Sequence, residues 1–242
     1  MLHSFWNAVF YRPLYNLLLG IVAFVPNGDV GLAVILLTVL VKLVLFPLTQ
    51  RSIDSQLRMK ALEPELARIK ATVTDKAEQS KQTYALYKEK NVNPFSSCLL
   101  VLVQIPVIIA LYLVFLHGFD SVSVLPYSFV SAPGEFNMKF LGFFDLAQRS
   151  IVLAVIAGVT QFLQGWLAQG RQSAPSGEGM AGQFAKTMQT QMLYVLPIMI
   201  VFIAYRVSGA VALYWITSNI FTIAQELYTK RKMEKSATTV AA

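Results

Sequence analysis

Five runs of 13 to 23 mostly apolar residues, none containing an aspartate or a glutamate, dominate this sequence. A helix rises about 1.5 Å per residue, so a run of about 20 residues matches the roughly 30 Å hydrocarbon core of a bilayer. Only 14% of the 242 residues are charged, whereas an ordinary soluble domain has about 25% charged residues. We therefore predict an all-α membrane protein with five transmembrane spans, at residues 30–48, 95–117, 151–168, 192–206 and 209–228.

The composition also excludes several other classes of protein. A disordered chain needs low hydrophobicity, whereas 55% of these residues are apolar and the mean hydropathy is +0.55. The net charge of +7 suggests an acidic partner, but membrane topology can account for it, so no DNA partner is predicted. The single cysteine, Cys98, excludes an intramolecular disulfide and a multi-cysteine metal site. We predict no cofactor, no metal and no enzymatic activity.

Residues 1–29 differ from the five runs. Residues 2–10 mix aromatic with polar side chains, which is typical of an amphipathic helix lying in the membrane interface. Residues 14–25 are a candidate sixth span, although twelve residues are few. A cleavable signal peptide is disfavoured because the start of the chain lacks basic residues, and a lipoprotein is disfavoured because no cysteine lies nearby.

The distribution of lysine and arginine predicts the orientation. With the N-terminus outside, residues 49–94, 169–191 and 229–242 lie inside and contain 15 basic residues. The outside segments, among them residues 118–150, contain only four, and Lys42 is left within the membrane. Because cytoplasmic loops carry the excess of positive charge, we predict a multi-pass protein with its N-terminus outside and its basic tail in the cytoplasm.

Residues 49–94 form the one sizeable polar segment. Apolar residues recur at helical spacing, residues 72–75 supply a turn, and Asn93-Pro94 ends the second arm, so we predict a cytoplasmic helical hairpin. Its nine basic and six acidic residues leave a charge that suits anionic headgroups or an RNA-rich partner. The alternative is a solvated connector between two spans. The glycine-containing residues 172–182 predict a flexible inside loop.

Lys42 is the strongest sign of a functional site. A charged residue in a span costs roughly 2.5–3.5 kcal/mol to insert, so it is expected to face protein or a water-filled cavity. Thr38, one turn earlier, lies on the same helical face. In the alternative interpretation, Lys42 extends along the helix to the inside headgroups.

Polar residues at helical spacing recur in the other spans. Each can simply form an interhelical hydrogen bond, but together with Lys42 they predict a hydrated, positively charged cavity whose anion arrives with a ligand. These residues are Gln104, Thr160, Gln161, Gln164, Tyr214, Ser218, Thr222 and Gln225.

Three sequence blocks resemble the YidC/Oxa/Albino family of membrane-protein insertases. The first is residues 38–48, TVLVKLVLFPL. The second comprises ALYKEKNVNP at 85–94, followed by QIP at 104–106 and ALY at 110–112, and the third is GAVALYWITSN at 209–219. The resemblance covers about residues 5–235. It implies a five-helix core with an N-terminal interfacial helix, a cytoplasmic hairpin, and a hydrophilic groove open to the cytoplasm and to lipid but closed outside.

The resemblance also implies roles for individual residues. The groove arginine of the family falls on Lys42, its groove threonine on Thr38, and its aromatic pair on Tyr214 and Trp215. Lysine keeps the positive charge but loses the planar fork that pairs bidentately with a carboxylate. The large periplasmic domain of many Gram-negative members has no counterpart in this sequence, which favours a small-format bacterial member in the plasma membrane. An Albino-type organelle protein is the other option.

The function implied is insertion of membrane proteins without ATP. A client's short hydrophilic segment enters the groove while its apolar helix moves into the bilayer. The expected partners are nascent membrane-protein clients and membrane lipids, together with the ribosome, signal-recognition targeting factors and a Sec translocon.

Two other functions have weaker support. A small secondary transporter typically shows inverted repeats and discontinuous helices, and neither is evident here. An intramembrane hydrolase needs a Ser-His pair or paired aspartates, yet the two histidines, His3 and His117, are expected at the outer side and no apolar run contains an aspartate.

Overall fold

The computed structural model describes residues 5–92, 96–117, 127, 128, 130, 136–169, 187 and 190–240. The Asn93-Pro94 stop and the loop at 172–182 lie outside these residues. The described chain is mostly helical, as expected. Its α-helices are α1 (Arg12–Phe24), α2 (Val30–Ala61), α3 (Glu63–Thr72), α4 (Lys76–Glu89), α5 (Ser96–His117), α6 (Ile151–Gln169), α7 (Leu196–Arg206) and α8 (Gly209–Val240).

The described residues also contain three short helical segments and two strands. Single π-helical turns, Asn7–Tyr11 and Gln191–Val195, precede α1 and α7, and a 3₁₀ turn, Pro26–Gly28, precedes α2. The strands β1 (Lys139–Phe140) and β2 (Phe144–Asp145) pair antiparallel, which adds a small sheet to the predicted all-α fold.

The long helices expose apolar side chains and bury polar ones. On α2, Leu36 is 51% exposed and Val44 is 70% exposed, whereas Thr38 and Lys42 are buried. In water this arrangement would be unfavourable, because exposed leucines gain nothing and a buried ammonium is costly. Lipid reverses both preferences, so the pattern fits a helix whose outer face contacts hydrocarbon.

Within the described residues, two helices are long and apolar enough to cross a bilayer. They are Val30–Ala61 and Ile151–Ala168, and Gln104–Phe115 and Leu193–Arg206 are shorter apolar helices within the described residues. The number of five spans stays a prediction.

Helix α2 continues for 32 residues and ends at Ala61, well beyond the expected end of the first span at residue 48. Pro47 lies inside it and removes one backbone hydrogen-bond donor, but no glycine or second proline follows before Ala61. One missing bond does not end a helix whose neighbours are otherwise good helix formers. The polar segment therefore begins inside α2, where the composition changes from apolar to polar, and not at a break between two helices.

The chain divides into two compact units, and unit 1 comprises the described parts of residues 1–45, 102–161 and 197–221. Its core contains fully buried apolar side chains from several helices: Leu18, Leu37, Leu111, Val114, Ala154 and Ala204. Helices α6 and α7 approach closely at Gly158, where an added Cβ would overlap the Val201 side chain.

An ordered segment at residues 136–150 caps helix ends in unit 1. The N–H of Val30 donates to the Asn137 carbonyl (3.0 Å), and the N–H of Gly209 donates to the Gln148 carbonyl (2.9 Å). These bonds satisfy donors that the first turns of α2 and α8 cannot pair internally. The segment thereby fixes the starts of two helices.

Unit 2 comprises the described parts of residues 46–101, 162–196 and 222–242. Within it, α3 and α4 are joined by residues 73–75 and pack around the buried side chains of Leu62, Leu66, Leu86 and Val92. The Asp75 carboxylate accepts a hydrogen bond from the Ala77 N–H (3.1 Å) and so caps the start of α4.

Candidate functional site

Three of the predicted site residues meet in unit 1, each from a different helix. The Lys42 Nζ on α2 donates to the Gln104 Oε1 on α5 at 3.4 Å. The Gln104 Nε2 in turn donates to the Tyr214 hydroxyl on α8. Lys42 is 8% exposed and Tyr214 is 2% exposed. We refer to these three residues as the polar relay.

The polar relay places the ammonium against an amide instead of against headgroups. A lysine that extends along its helix to the interface would leave its Nζ exposed, so the burial of Lys42 disfavours that alternative. Gln104 is uncharged. Its hydrogen bond orients the ammonium without cancelling the positive charge.

Thr38 and Ser218 lie one helical turn from members of the polar relay. The Thr38 hydroxyl is buried and donates to the Val34 carbonyl of its own helix (2.6 Å), so it adds a small dipole beside Lys42 without tying α2 to another helix. Ser218 is also buried and shares a hydrogen bond with the Tyr214 hydroxyl.

Thr160 forms a contact between helices. The Asn219 Nδ2 on α8 donates to the Thr160 hydroxyl (3.2 Å) and to the Ala157 carbonyl (3.5 Å) on α6. The Thr160 hydroxyl donates to the same carbonyl (3.0 Å). For Thr160, the simpler interpretation as an interhelical hydrogen bond therefore describes its contacts. Asn219 itself was not among the predicted site residues, because it is off the stripe from Tyr214 to Gln225.

The remaining predicted residues are Gln161, Gln164 and Trp215. Gln161 and Trp215 belong to unit 1 and are half-buried. Gln164 is half-buried in unit 2. Each is placed by its own helix at the spacing expected from the sequence.

A second polar cluster lies in unit 2 between α2 and α8. The Gln225 Nε2 donates to the Thr49 hydroxyl (2.7 Å) and to the Phe46 carbonyl (3.2 Å). One turn further, the Thr229 hydroxyl donates to the Gln50 Oε1 (2.9 Å). The two donors, Gln225 and Thr229, are four residues apart on α8, which is the spacing expected where one helix packs along another. Of these residues, only Gln225 belongs to the polar stripes expected from the sequence.

Further polar side chains are buried near this cluster. Ser52, Gln56 and Glu226 are each less than 5% exposed. Glu226 lies within the predicted fifth span, beyond the end of its apolar run, and its burial was not expected. A search for polar residues at i, i+4 spacing past residue 48 would have found Ser52 and Gln56.

Metal binding finds no support in the part of the chain that the structure describes. No group of three or more histidine, cysteine, aspartate or glutamate side chains there could hold an ion. The chemistry available in the polar relay is therefore that of one cation, an amide and a phenol.

Comparison with known proteins gives the family. The model of the 60Kd inner membrane protein family matches residues 22–236. The chain is 36% identical over 211 residues to the membrane protein insertase YidC of Clostridium tetani, covering 87% of this chain and 86% of that protein. It is 31% identical over 226 residues to YidC of Fusobacterium nucleatum (90% and 98%) and 30% identical over 234 residues to the membrane protein insertase MisCA of Bacillus subtilis (93% and 79%).

A solved structure agrees on the fold. The chain matches an active YidC insertase crystal structure with a TM-score of 0.56 and 22% identity, covering 90% of this chain and 45% of that one. The family resemblance found in the sequence is thereby confirmed, and the relatives indicate a bacterial membrane protein. This chain belongs to the 60Kd inner membrane protein family, which includes the YidC insertases.

Proposed function

We propose that this chain is a membrane protein insertase that passes short hydrophilic segments of its clients through a positively charged groove. The names of the relatives support insertion as the activity. The observation that carries the mechanism is the buried ammonium of Lys42, held by Gln104 and, through it, by Tyr214. A buried cation whose neighbour in this contact is a neutral amide can attract a carboxylate of the client.

The groove is proposed to contain Lys42 and its polar neighbours from the other helices. Thr38, Gln104, Gln161, Tyr214 and Ser218 replace part of the water that a client's hydrophilic segment loses, while Trp215 contacts the client along its path. Burial of the client's apolar helix in lipid supplies roughly 25 cal/mol per Å². No step then requires ATP, because the groove only lowers the barrier for the polar segment.

The apolar part of the client is proposed to move along the lipid-facing sides of the helices. On α6, Ile151, Val155 and Val159 are exposed at successive turns. On α8, Ile220 is also exposed. These side chains are apolar and form no hydrogen bond with a client helix. A client helix can therefore leave them for lipid at little cost in free energy.

The proposed orientation has the N-terminus outside and the tail in the cytoplasm, with five spans. Helices α3 and α4 then form a cytoplasmic hairpin whose exposed basic residues and Tyr84, 69% exposed, receive clients from the ribosome or a targeting factor. Action beside a Sec translocon is compatible with the same arrangement. A small secondary transporter is not favoured, because the named relatives are insertases.

The test is insertion of a client series that differs only in the number of N-terminal carboxylates. Lys42→Arg is expected to preserve protease-protected insertion of every member. Lys42→Ala is expected to impair the acidic members, and Lys42→Glu to impair them further, because attraction becomes repulsion. Lys139→Ala removes one exposed positive charge elsewhere and is expected to change nothing.

If Lys42→Ala and Lys42→Glu insert every client as well as the unmodified chain does, Lys42 has no role in attracting the client. The polar residues of α6 and α8 would then have to account for passage of the polar segment alone.

A further inference from the structure

A second cationic site lies near the start of α1, separate from the polar relay. The guanidinium of Arg12 stacks on the ring of Tyr127, with its central carbon 5.2 Å from the ring centroid. Stacking of this kind covers the flat face of a guanidinium and leaves the N–H donors along its edge. Both residues belong to unit 1.

Asn16 holds the Arg12–Tyr127 pair in place. Its Nδ2 donates to the Arg12 carbonyl (2.8 Å), and its Oδ1 accepts a hydrogen bond from the Tyr127 N–H (2.6 Å). Asn16 is 3% exposed, so water competes little for these two bonds. The backbone of Tyr127 is thereby positioned by an amide that uses both of its polar atoms.

The guanidinium lacks an acceptor among the described residues. Its Nε is buried and makes no hydrogen bond there. A buried donor left without an acceptor costs about 1–3 kcal/mol. Arg12 as a whole is only half-buried, so part of the side chain is open to an anion. A phosphodiester offers two oxygens at the spacing of the guanidinium fork. Among the described residues, no carboxylate forms an ion pair with Arg12.

The surroundings indicate that the phosphodiester belongs to a lipid. Trp6 packs against Phe10 with ring centroids 5.1 Å apart, and Tyr11 stacks on Tyr15 at 6.2 Å. Aromatic side chains of this kind concentrate at headgroup depth. Phe24, at the end of α1, is 91% exposed and needs an apolar environment.

We propose that Arg12, with Tyr127 stacked on its guanidinium, binds the phosphodiester of a phospholipid headgroup in the outer leaflet. The bound lipid fixes the depth of α1 in the interface. The proposal rests on the orientation given under Proposed function, but it does not depend on the insertase activity, because no client takes part.

The test measures lipid binding to the full-length protein in detergent by native mass spectrometry, with thermal stability as a second readout. The probes are phosphatidylcholine and phosphatidylglycerol, the matching diacylglycerol without phosphate, and inorganic phosphate. Both phospholipids are expected to bind, and diacylglycerol and free phosphate are not. Arg12→Gln is expected to weaken phospholipid binding about tenfold, which corresponds to about 1.4 kcal/mol.

Two further variants separate the site from charge and from folding. Arg12→Lys keeps the charge but not the fork and is expected to lose about threefold in affinity; it also decides the question if Arg12→Gln fails to fold. Arg206→Gln removes an arginine that stacks on Phe202 (4.8 Å) but is exposed, and it is expected to bind lipid normally. Equal binding by all four versions, binding of free phosphate as tight as that of lipid, or binding of phosphatidylglycerol alone would overturn the proposal.

Discussion

Gln104→Glu converts the hydrogen bond at the centre of the polar relay into an ion pair. A carboxylate at the position of the Gln104 Oε1 lies 3.4 Å from the Lys42 Nζ, which gives an attraction of about 5 kcal/mol at an effective dielectric constant near 20. This attraction offsets a desolvation cost of several kcal/mol for the new carboxylate. The folded protein is therefore expected to keep its melting temperature within a few degrees.

The same substitution is expected to harm function. A client carboxylate must now compete with one that is permanently beside Lys42, so acidic clients lose their advantage over neutral ones. We expect the ratio of acidic to neutral client insertion to fall about tenfold, which corresponds to about 1.4 kcal/mol in the barrier. Protein reconstituted in liposomes and a protease-protection assay on paired clients measure this ratio.

Gln104→Leu is the matched control. It removes the hydrogen bonds to Lys42 and Tyr214 without adding charge, so stability is expected to fall by about 2 kcal/mol. The ratio of acidic to neutral insertion is expected to stay as in the unmodified chain, because the charge of Lys42 is not cancelled. An unchanged ratio in Gln104→Glu would refute the view that the positive charge of Lys42 selects acidic segments.

Three other predictions concern packing, orientation and the hairpin. Gly158→Ala forces a Cβ into Val201 and is expected to lower the free energy of unfolding by about 1–3 kcal/mol, with recovery in the double variant that also carries Val201→Ala; a thermal shift as large in the double variant as in the single one would contradict this. A cysteine at Gly134 is expected to react with an impermeant thiol reagent in intact cells and one at Asp75 only after lysis, so labelling of Asp75 from outside would reverse the orientation. Leu66→Ala is expected to cost about 2 kcal/mol locally, seen as faster amide exchange in α3 and α4 alone; equally faster exchange in α2 would show that the two helices do not open as a unit.

The sequence predicts well those features that one helix determines by itself. Helical spacing placed Thr38 and Lys42 on one face of α2, and both are buried there. The three quoted sequence blocks identified the family, and the family match confirms it. These features depend only on residues that are close together in the sequence, so helical spacing and short motifs are enough to predict them.

Contacts between distant helices are harder to predict from one sequence. The pairing of Thr49 with Gln225 joins residues 176 apart, and which polar residue meets which depends on how two helices are rotated against each other. Periodicity gives the face of each helix but not this rotation. Asn219 lies off the polar stripe of α8, and its contact with Thr160 depends on how α8 is rotated against α6.

The polar relay also has consequences for the order in which this chain can fold. Lys42 is synthesised 62 residues before Gln104, and Gln104 is synthesised 110 residues before Tyr214. When α2 enters the bilayer during translation, the Lys42 ammonium has no Gln104 amide to donate to, and the insertion cost of roughly 2.5–3.5 kcal/mol is not yet offset. Only the arrival of the later helices completes the hydrogen bonds. The nascent chain is therefore itself a demanding substrate for the cell's insertion machinery, and a slow step in its own biogenesis is expected at α2.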